Sequence, residues 1–465
     1  MAPDSHDRGS EPALSRSLNL PQSISLNVAN MVGVGPFITI PLMLAALPGP
    51  QVVLAWLVGG LLVLCDGLVW SELGAALPGS GGSYHFLKEI YGRLNPTWGR
   101  LIPFLFIWQF LISGTLESAS AYIGANKYLH YVLPQMDECL ADWHVPGGSN
   151  TVAAALCLCV TALLCRHIRV LGWLSLVLCF GILGALLAVV VTGLPHVDPN
   201  LLRVPRDTLT WQNAPHFANS LGAAMTIAIY NYFGYYNICY LGDEVRNPGK
   251  TIPRSVISSL WIIGVLYIAM TVAIIGVIPW QEAAQSEFVA ANLIERIVGR
   301  SAASGFAWLV VWTAVAGVFA MSLGYSRIPF AAARNGDFFK IFGVLHADGF
   351  PIVAIVCLGL LTAASCYLSL DVVVSAAVAV RILVQFVGQI VGLHLLRTTR
   401  PDVKMPFRMR LYPLPSLIAL IGWLFVLGTQ ELFVLGVALA VTATGVPAFF
   451  LWKRWTDRPP TVAPS

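Results

Sequence analysis

The chain has 465 residues, of which 57% are apolar and only 11% charged. So few charges cannot cover a water-soluble protein of this size, and several apolar runs reach the roughly 20 residues needed to cross a bilayer. The net charge of +4 carries no Lys/Arg cluster fit for a polyanion groove, which excludes nucleic acid as a partner and leaves the lipid bilayer and a small molecule. The class predicted is an all-α polytopic membrane protein.

In chain order, residues 1–20 form a polar tail without the short apolar segment and small-residue cleavage site of a signal peptide, so the tail is expected to be retained and cytoplasmic. Twelve transmembrane helices are predicted, at about 22–46, 51–77, 100–131, 151–166, 170–194, 215–242, 254–280, 304–328, 350–369, 371–397, 412–430 and 432–453. Of the 27 Lys and Arg residues, only Lys127, Arg203, Arg206, Arg296 and Arg300 fall on the side opposite the tail, and Arg381 alone falls inside a span. The positive-inside rule then places both termini, including the tail 455–465, in the cytoplasm. The loop Pro134–Asn150 carries Asp137, Glu138 and Asp142 and no Lys or Arg, which fits the outer side. Trp280–Arg300 is amphipathic and reads as a short helix over the outer face or as an ordinary interfacial loop.

The first span is interrupted at Asn30-Met-Val-Gly-Val-Gly-Pro-Phe-Ile38. Gly33, Gly35 and Pro36 disfavour helix there, and backbone groups freed in hydrocarbon need partners in protein, water or ligand. A packed kink is the plain alternative. Five spans later comes Ala228-Ile-Tyr-Asn-Tyr-Phe-Gly-Tyr-Tyr-Asn237, polar and glycine-containing within an apolar run. Interruptions at corresponding places in two halves point to a secondary transporter of inverted-repeat design. Residues 21–398 are the predicted core, repeat one about 21–194 and repeat two about 215–398, and residues 399–454 add helices eleven and twelve.

The nine cysteines lie mostly in apolar runs, so neither a disulfide framework nor a zinc site is predicted. The nine histidines fall mostly in loops and at span ends without ligand spacing, which argues against an enzyme. No pore-lining repeat suggests a channel.

Four motifs carry a family resemblance: Gly33-Val-Gly-Pro-Phe37, Ser71-Glu-Leu-Gly-Ala-Ala-Leu-Pro-Gly-Ser-Gly-Gly-Ser-Tyr84, Gly242-Asp-Glu-Val-Arg-Asn-Pro-Gly-Lys-Thr-Ile-Pro253 and Ser326-Arg-Ile-Pro-Phe-Ala-Ala-Ala-Arg-Asn-Gly336. Over nearly its whole length the chain resembles the amino acid–polyamine–organocation superfamily, nearest to its eukaryotic-type polyamine and L-type amino-acid carriers. The Gly-Pro-Phe break, the Ser113-Gly-Thr-Leu-Glu117 pattern and the Asp66/Glu72 pair match polyamine carriers, whereas Tyr236-Asn237 stands where those carriers tend to show Trp-Asp. The resemblance implies a five-plus-five inverted repeat of leucine-transporter type with helices 1 and 6 broken.

The physics of the breaks favours a zwitterion. A half-helix starting after Gly35 offers N–H groups and a positive dipole end to a carboxylate, while the half-helix ending near Tyr232 offers carbonyls to an ammonium group. The candidate substrate residues are Val32, Gly33, Val34, Gly35, Phe37, Glu117, Tyr230, Phe233, Gly234, Tyr236 and Asn237, with helix packing the alternative for each aromatic. Asp66, Glu117 and Arg381 are charges inside spans, which makes function the default hypothesis. Glu117 is the first choice for proton coupling or for reading a cation, and a structural ion pair with Arg381 is its alternative. Arg381, Gln385 and Gln389 make a polar stripe, and Glu72 is assigned to an inner gate network with Arg or Lys. Asp243-Glu244 with Arg246 and Lys250 reads as a similar network or as a solvated edge. Thr313 and Ser322 in span eight are not a distinctive sodium site, and span five, between Arg169 and Leu194, lacks the lysine that some proton-coupled relatives place there, so proton coupling through carboxyls, or exchange, is favoured over sodium and no cofactor is expected. The functional expectation is a permease moving amino acids across a plasma membrane, with a polyamine or organic-cation carrier of the same fold as the alternative. The short tails suggest a bacterial inner membrane, and a monomer or weak homo-oligomer is expected.

Overall fold

The computed structural model describes residues 16, 18–79, 81–95, 97–142, 145–165, 171–204, 214–346 and 350–456. Most of both tails, with Arg8 and Arg458, and also Arg166, Arg169 and Arg206, lie outside them. Among the described residues eighteen α-helices run α1 Leu20–Met31, α2 Gly35–Ala46, α3 Val52–Ala76, α4 Ser83–Tyr91, α5 Trp98–Val132, α6 Met136–Asp142, α7 Ser149–Leu164, α8 Leu171–Gly193, α9 Ala214–Tyr232 and α10 Pro248–Val277. They continue with α11 Trp280–Gln285, α12 Val289–Ile297, α13 Arg300–Arg334, α14 Ile352–Ser365, α15 Leu370–Arg381, α16 Gly388–Thr399, α17 Leu414–Gly428 and α18 Leu432–Thr456. Helix occupies each of the twelve apolar segments. By length and apolarity, α3, α5, α10, the α15–α16 run and α18 can each cross a membrane, and the bent α1–α2 pair can do so together.

Local chemistry sets the ends. Asn19 Oδ1 accepts from the Gln22 N–H at 3.1 Å and Gln22 Oε1 accepts from the Asn19 N–H at 3.0 Å, a reciprocal cap that starts α1. Pro36 sits in the first turn of α2, where its missing N–H breaks no helix bond. Between Met31 and Gly35 the axis bends by 50°. The second half-helix thus begins at Gly35 itself, one residue earlier than the sequence suggests.

The sixth run is α-helical only to Tyr232; residues 233–236 turn and Asn237–Tyr240 form a single 3-10 turn. Span ten is also interrupted. A π-turn over Ile382–Val387 follows Arg381 and shifts the register ahead of α16. Such bulges cluster at functional sites.

The long helix α5 is the centre of the assembly, packed on α13, α15, α4, α18, α14 and α7. In its most apolar window 83% of the residues are buried by protein, against 22% for α18, which lies at the periphery. That burial explains why α5 carries Gln109, Ser113, Glu117, Ser120 and Asn126 inward. The Trp280–Arg300 segment forms α11 and α12. Both pack on α2, and Val289, Ala290, Leu293 and Ile294 of α12 are buried.

Candidate functional site

The two breaks lie back to back. Gly234 has φ +103°, a conformation glycine adopts without strain, and a Cβ there would come within 2.8 Å of the Asn30 backbone. Across this contact Asn27 Oδ1 accepts from the Ile238 N–H at 3.0 Å. The hydroxyl of Tyr267, on α10, is 2.8 Å from the Met31 carbonyl oxygen and 3.0 Å from that of Asn231. One phenol thereby bridges the carbonyl ends of α1 and α9.

The N–H groups of Gly33, Val34 and Gly35 have no hydrogen-bond partner among the described residues, while that of Phe37 closes on the Val34 carbonyl at 3.0 Å. Free donors in succession leading into a helix N-terminus are the kind of group that suits an anion. The two glycines differ. A Cβ on Gly33 would meet nothing within 4 Å, so its α-carbon faces open space. A Cβ on Gly35 would collide with the side-chain oxygen of Asn231, whose amide nitrogen donates to Thr39 Oγ1 at 2.9 Å. Gly35 is therefore small because helix packs against it, and Gly33 is the glycine on the open side.

Around the second break the polar residues converge. The Tyr230 hydroxyl is hydrogen-bonded to Ser120 Oγ on α5. Each nitrogen of Arg381 has a partner: Nη2 donates to Glu117 Oε2 at 2.5 Å, Nη1 to the Tyr236 hydroxyl at 3.0 Å and Nε to Ser113 Oγ at 3.1 Å. Its guanidinium carbon lies 4.7 Å from the centre of the Phe233 ring, and Tyr325 donates to Glu117 Oε2 at 2.7 Å. The arrangement is the ion pair named as the alternative for Glu117. It leaves no lone charge, which a membrane-buried pair requires. Gln385 is buried and approaches the Tyr236 hydroxyl without a well-formed hydrogen bond.

Other predicted residues stand apart. Phe37 is wholly buried, edge-on to Phe306 at 5.7 Å, and serves as packing in this conformation. Val32 and Val34 are buried at the bend, and Asn237 opens the 3-10 turn. Asp66 pairs with neither Arg381 nor any other cation among the described residues. It accepts from the Tyr235 hydroxyl and from Trp423 Nε1, the latter at 3.1 Å. Glu72 meets Arg397 at 2.5 Å and the Met409 N–H at 2.9 Å, tying α3 to α16 and the following loop. Arg246 donates to the Arg16 carbonyl at 3.0 Å, next to a parallel bridge between Leu18 and Val245.

Three participants carried no sequence signal, Asn27, Tyr267 and Tyr325, and Asn231 lay in the flagged Ala228–Asn237 stretch without being singled out. Each is a single polar or aromatic residue in an apolar helix, and its partner lies far away in sequence. Asp337 was also missed. It takes Tyr84 at 2.5 Å and Lys88 at 2.6 Å, fastening α4 to the loop after α13.

A family model described as amino acid permease matches residues 18–453. The chain belongs to the amino acid permease family. This permease is similar to the human large neutral amino acids transporter small subunit 2, with 26% identity over 98% of this chain and 84% of the relative. It is similar to the human cystine/glutamate transporter, with 26% identity over 96% and 87%, and to the mouse Asc-type amino acid transporter 1, with 25% identity over 97% and 83%. The permease is thus a multi-pass membrane transport protein for amino acids and not an enzyme. The resemblance to the wider superfamily stands, and the family match favours its amino-acid branch over its polyamine branch.

Proposed function

We propose that this permease is a secondary active transporter that moves amino acids across the plasma membrane by alternating access. The observation that carries the reading is the run of free N–H groups at Gly33, Val34 and Gly35 facing open space at Gly33. The substrate carboxylate docks there, and its ammonium group takes remaining lone pairs on the carbonyl ends of α1 and α9. Phe233, Tyr230 and Tyr236 border the side-chain space. The relatives' names, covering neutral amino acids and cystine/glutamate, support an α-amino acid as substrate class. A polyamine loses its expected anchor, because Glu117 is already bonded to Arg381.

The coupling role moves from Glu117 to Asp66. Glu117 gives up an ion pair if it takes a proton, whereas Asp66 is held by two neutral donors and changes charge without breaking one. Proton symport or exchange therefore remains the mechanism, with sodium less favoured: Thr313 of α13 is bonded to its own helix at the Val310 carbonyl, 2.9 Å away. Glu72–Arg397 and Lys88–Asp337 fit cytoplasmic gate contacts. We read the fold as twelve spans, a five-plus-five inverted repeat over 21–398 with α17 and α18 outside it. Both termini are cytoplasmic, the setting is a bacterial inner membrane, and the assembly is a monomer or weak homo-oligomer.

The test is uptake in proteoliposomes. Labelled amino acids should accumulate under an imposed inward proton gradient or in exchange for internal amino acid. Uptake of spermidine with no amino acid would overturn the reading.

A further inference from the structure

Between α3 and α10 a cavity of about 260 Å³ opens on the lipid-facing side. Its walls are apolar and include Trp56, Leu61, Val265 and the outward-facing Trp261, which is 62% exposed. Its floor is different. Gly60 and Gly264 face the hydroxyl of Tyr232, and a Cβ on either would come to 3.1 or 3.2 Å from that oxygen. Any larger side chain at these two positions would press on the hydroxyl or cover it.

The Tyr232 hydroxyl has no hydrogen-bond partner among the described residues. Its neighbours in the same segment all do: Tyr230 with Ser120, Tyr235 with Asp66, Tyr236 with Arg381 and, on α10, Tyr267 with Met31. A phenol left unpaired in hydrocarbon is costly. Water does not resolve this, because a stable buried water needs two to four polar partners, and beside the Tyr232 hydroxyl the lining side chains offer only the indole N–H donors of Trp56 and Trp261, that of Trp56 itself unpartnered. The missing acceptor must arrive on an apolar molecule.

We propose that this groove is a binding site for a membrane-dissolved, ring-containing apolar molecule that carries a carbonyl oxygen and accepts the hydrogen bond of Tyr232. The aromatic walls suit a flat body, and the paired glycines let it reach the hydroxyl. The site is distinct from the substrate position and touches the last residue of α9. The Tyr232 ring lies 5.7 Å from that of Tyr267, which bridges the two breaks.

Benzophenone tests this directly, because it is an apolar diaryl ketone and its own photolabel. On irradiation its carbonyl carbon bonds to a neighbouring C–H carbon, and the hydrogen moves to the oxygen. The full chain in phosphatidylcholine vesicles should be labelled on Leu57–Leu64 and Leu260–Ile268. Tyr232→Phe should weaken labelling about fivefold, the equivalent of one ordinary hydrogen bond. Gly264→Leu should abolish it, and if that variant does not fold, Leu61→Trp closes the groove from the lipid side. Diphenylmethane, which lacks the carbonyl, should compete poorly. Labelling spread evenly over lipid-facing helices such as α18, unchanged labelling in Tyr232→Phe, or equal competition by diphenylmethane would each overturn the proposal.

Discussion

The side-chain oxygen of Asn231 sits against the α-carbon of Gly35, in the space a Cβ would need. This contact separates two glycines that look alike in the sequence. Gly33→Ala should leave folding intact and weaken substrate binding, because the new methyl group enters the open space in front of the free N–H groups. Gly35→Ala should displace Asn231 from Thr39 and cost about 1–3 kcal/mol, as overpacking usually does. Thermal unfolding and substrate affinity measured on both variants check the division. Equal loss of stability in the two would contradict it.

The Glu117–Arg381 pair is buried, so losing one partner strands the other. Glu117→Gln or Arg381→Gln alone should destabilise by about 3–5 kcal/mol. The double variant should be more stable than either single one. A double-mutant cycle on unfolding free energy reads this, and additive losses would mean that the pair does not interact in the membrane.

Tyr267→Phe should cost about 1 kcal/mol, since one hydroxyl serves both helix ends. It should also loosen the breaks, seen as faster amide exchange at Met31–Val32 and Asn231–Phe233. Unchanged exchange would show that the bridge does not hold them.

Asp66→Asn should remove the pH dependence of transport while leaving the protein folded, because the amide oxygen still accepts from Trp423 Nε1 and the amide NH2 can donate to the Tyr235 hydroxyl. Uptake against pH in proteoliposomes tests the assignment. An unchanged profile would return the coupling role to another group.

At the end of α5, the Tyr131 hydroxyl and then Arg300 hold the Glu295 carboxyl below its ordinary value of 4.5. A depressed folded value means that the carboxylate's contribution is present above about 4.5 and is lost as pH falls through the lower folded value. Acidification below that range should therefore loosen the contact of Glu295 with Tyr131 and Arg300 without releasing the buried face of α12, and Glu295→Gln should flatten the response. Protease accessibility of Val289–Ile297 against pH is the measurement.

The helices and both breaks were legible in the sequence because hydrocarbon demands long apolar runs and glycine and proline interrupt them visibly. Glu117 and Arg381 stood out as charges inside spans, but 264 positions separate them, and no local spacing says that they meet. Gly33 and Gly35 could not be told apart for a similar reason: a small residue that faces open space and one packed against Asn231 have the same spelling. Tyr267 was invisible because an aromatic residue in an apolar helix looks like packing until its hydroxyl is found on two carbonyls. The π-turn after Arg381 left no mark in Ile382–Val387, which is an apolar stretch like any other apart from Gln385.

The central claim is that the substrate carboxylate docks on the N–H groups of Gly33, Val34 and Gly35. The most direct measurement is competition against uptake of the best-transported amino acid by its decarboxylated amine, which keeps the side chain and the ammonium group. The account predicts that the unlabelled amino acid competes and the amine does not, and that Gly33→Ala weakens the former. Competition by the amine as strong as by the amino acid would contradict it.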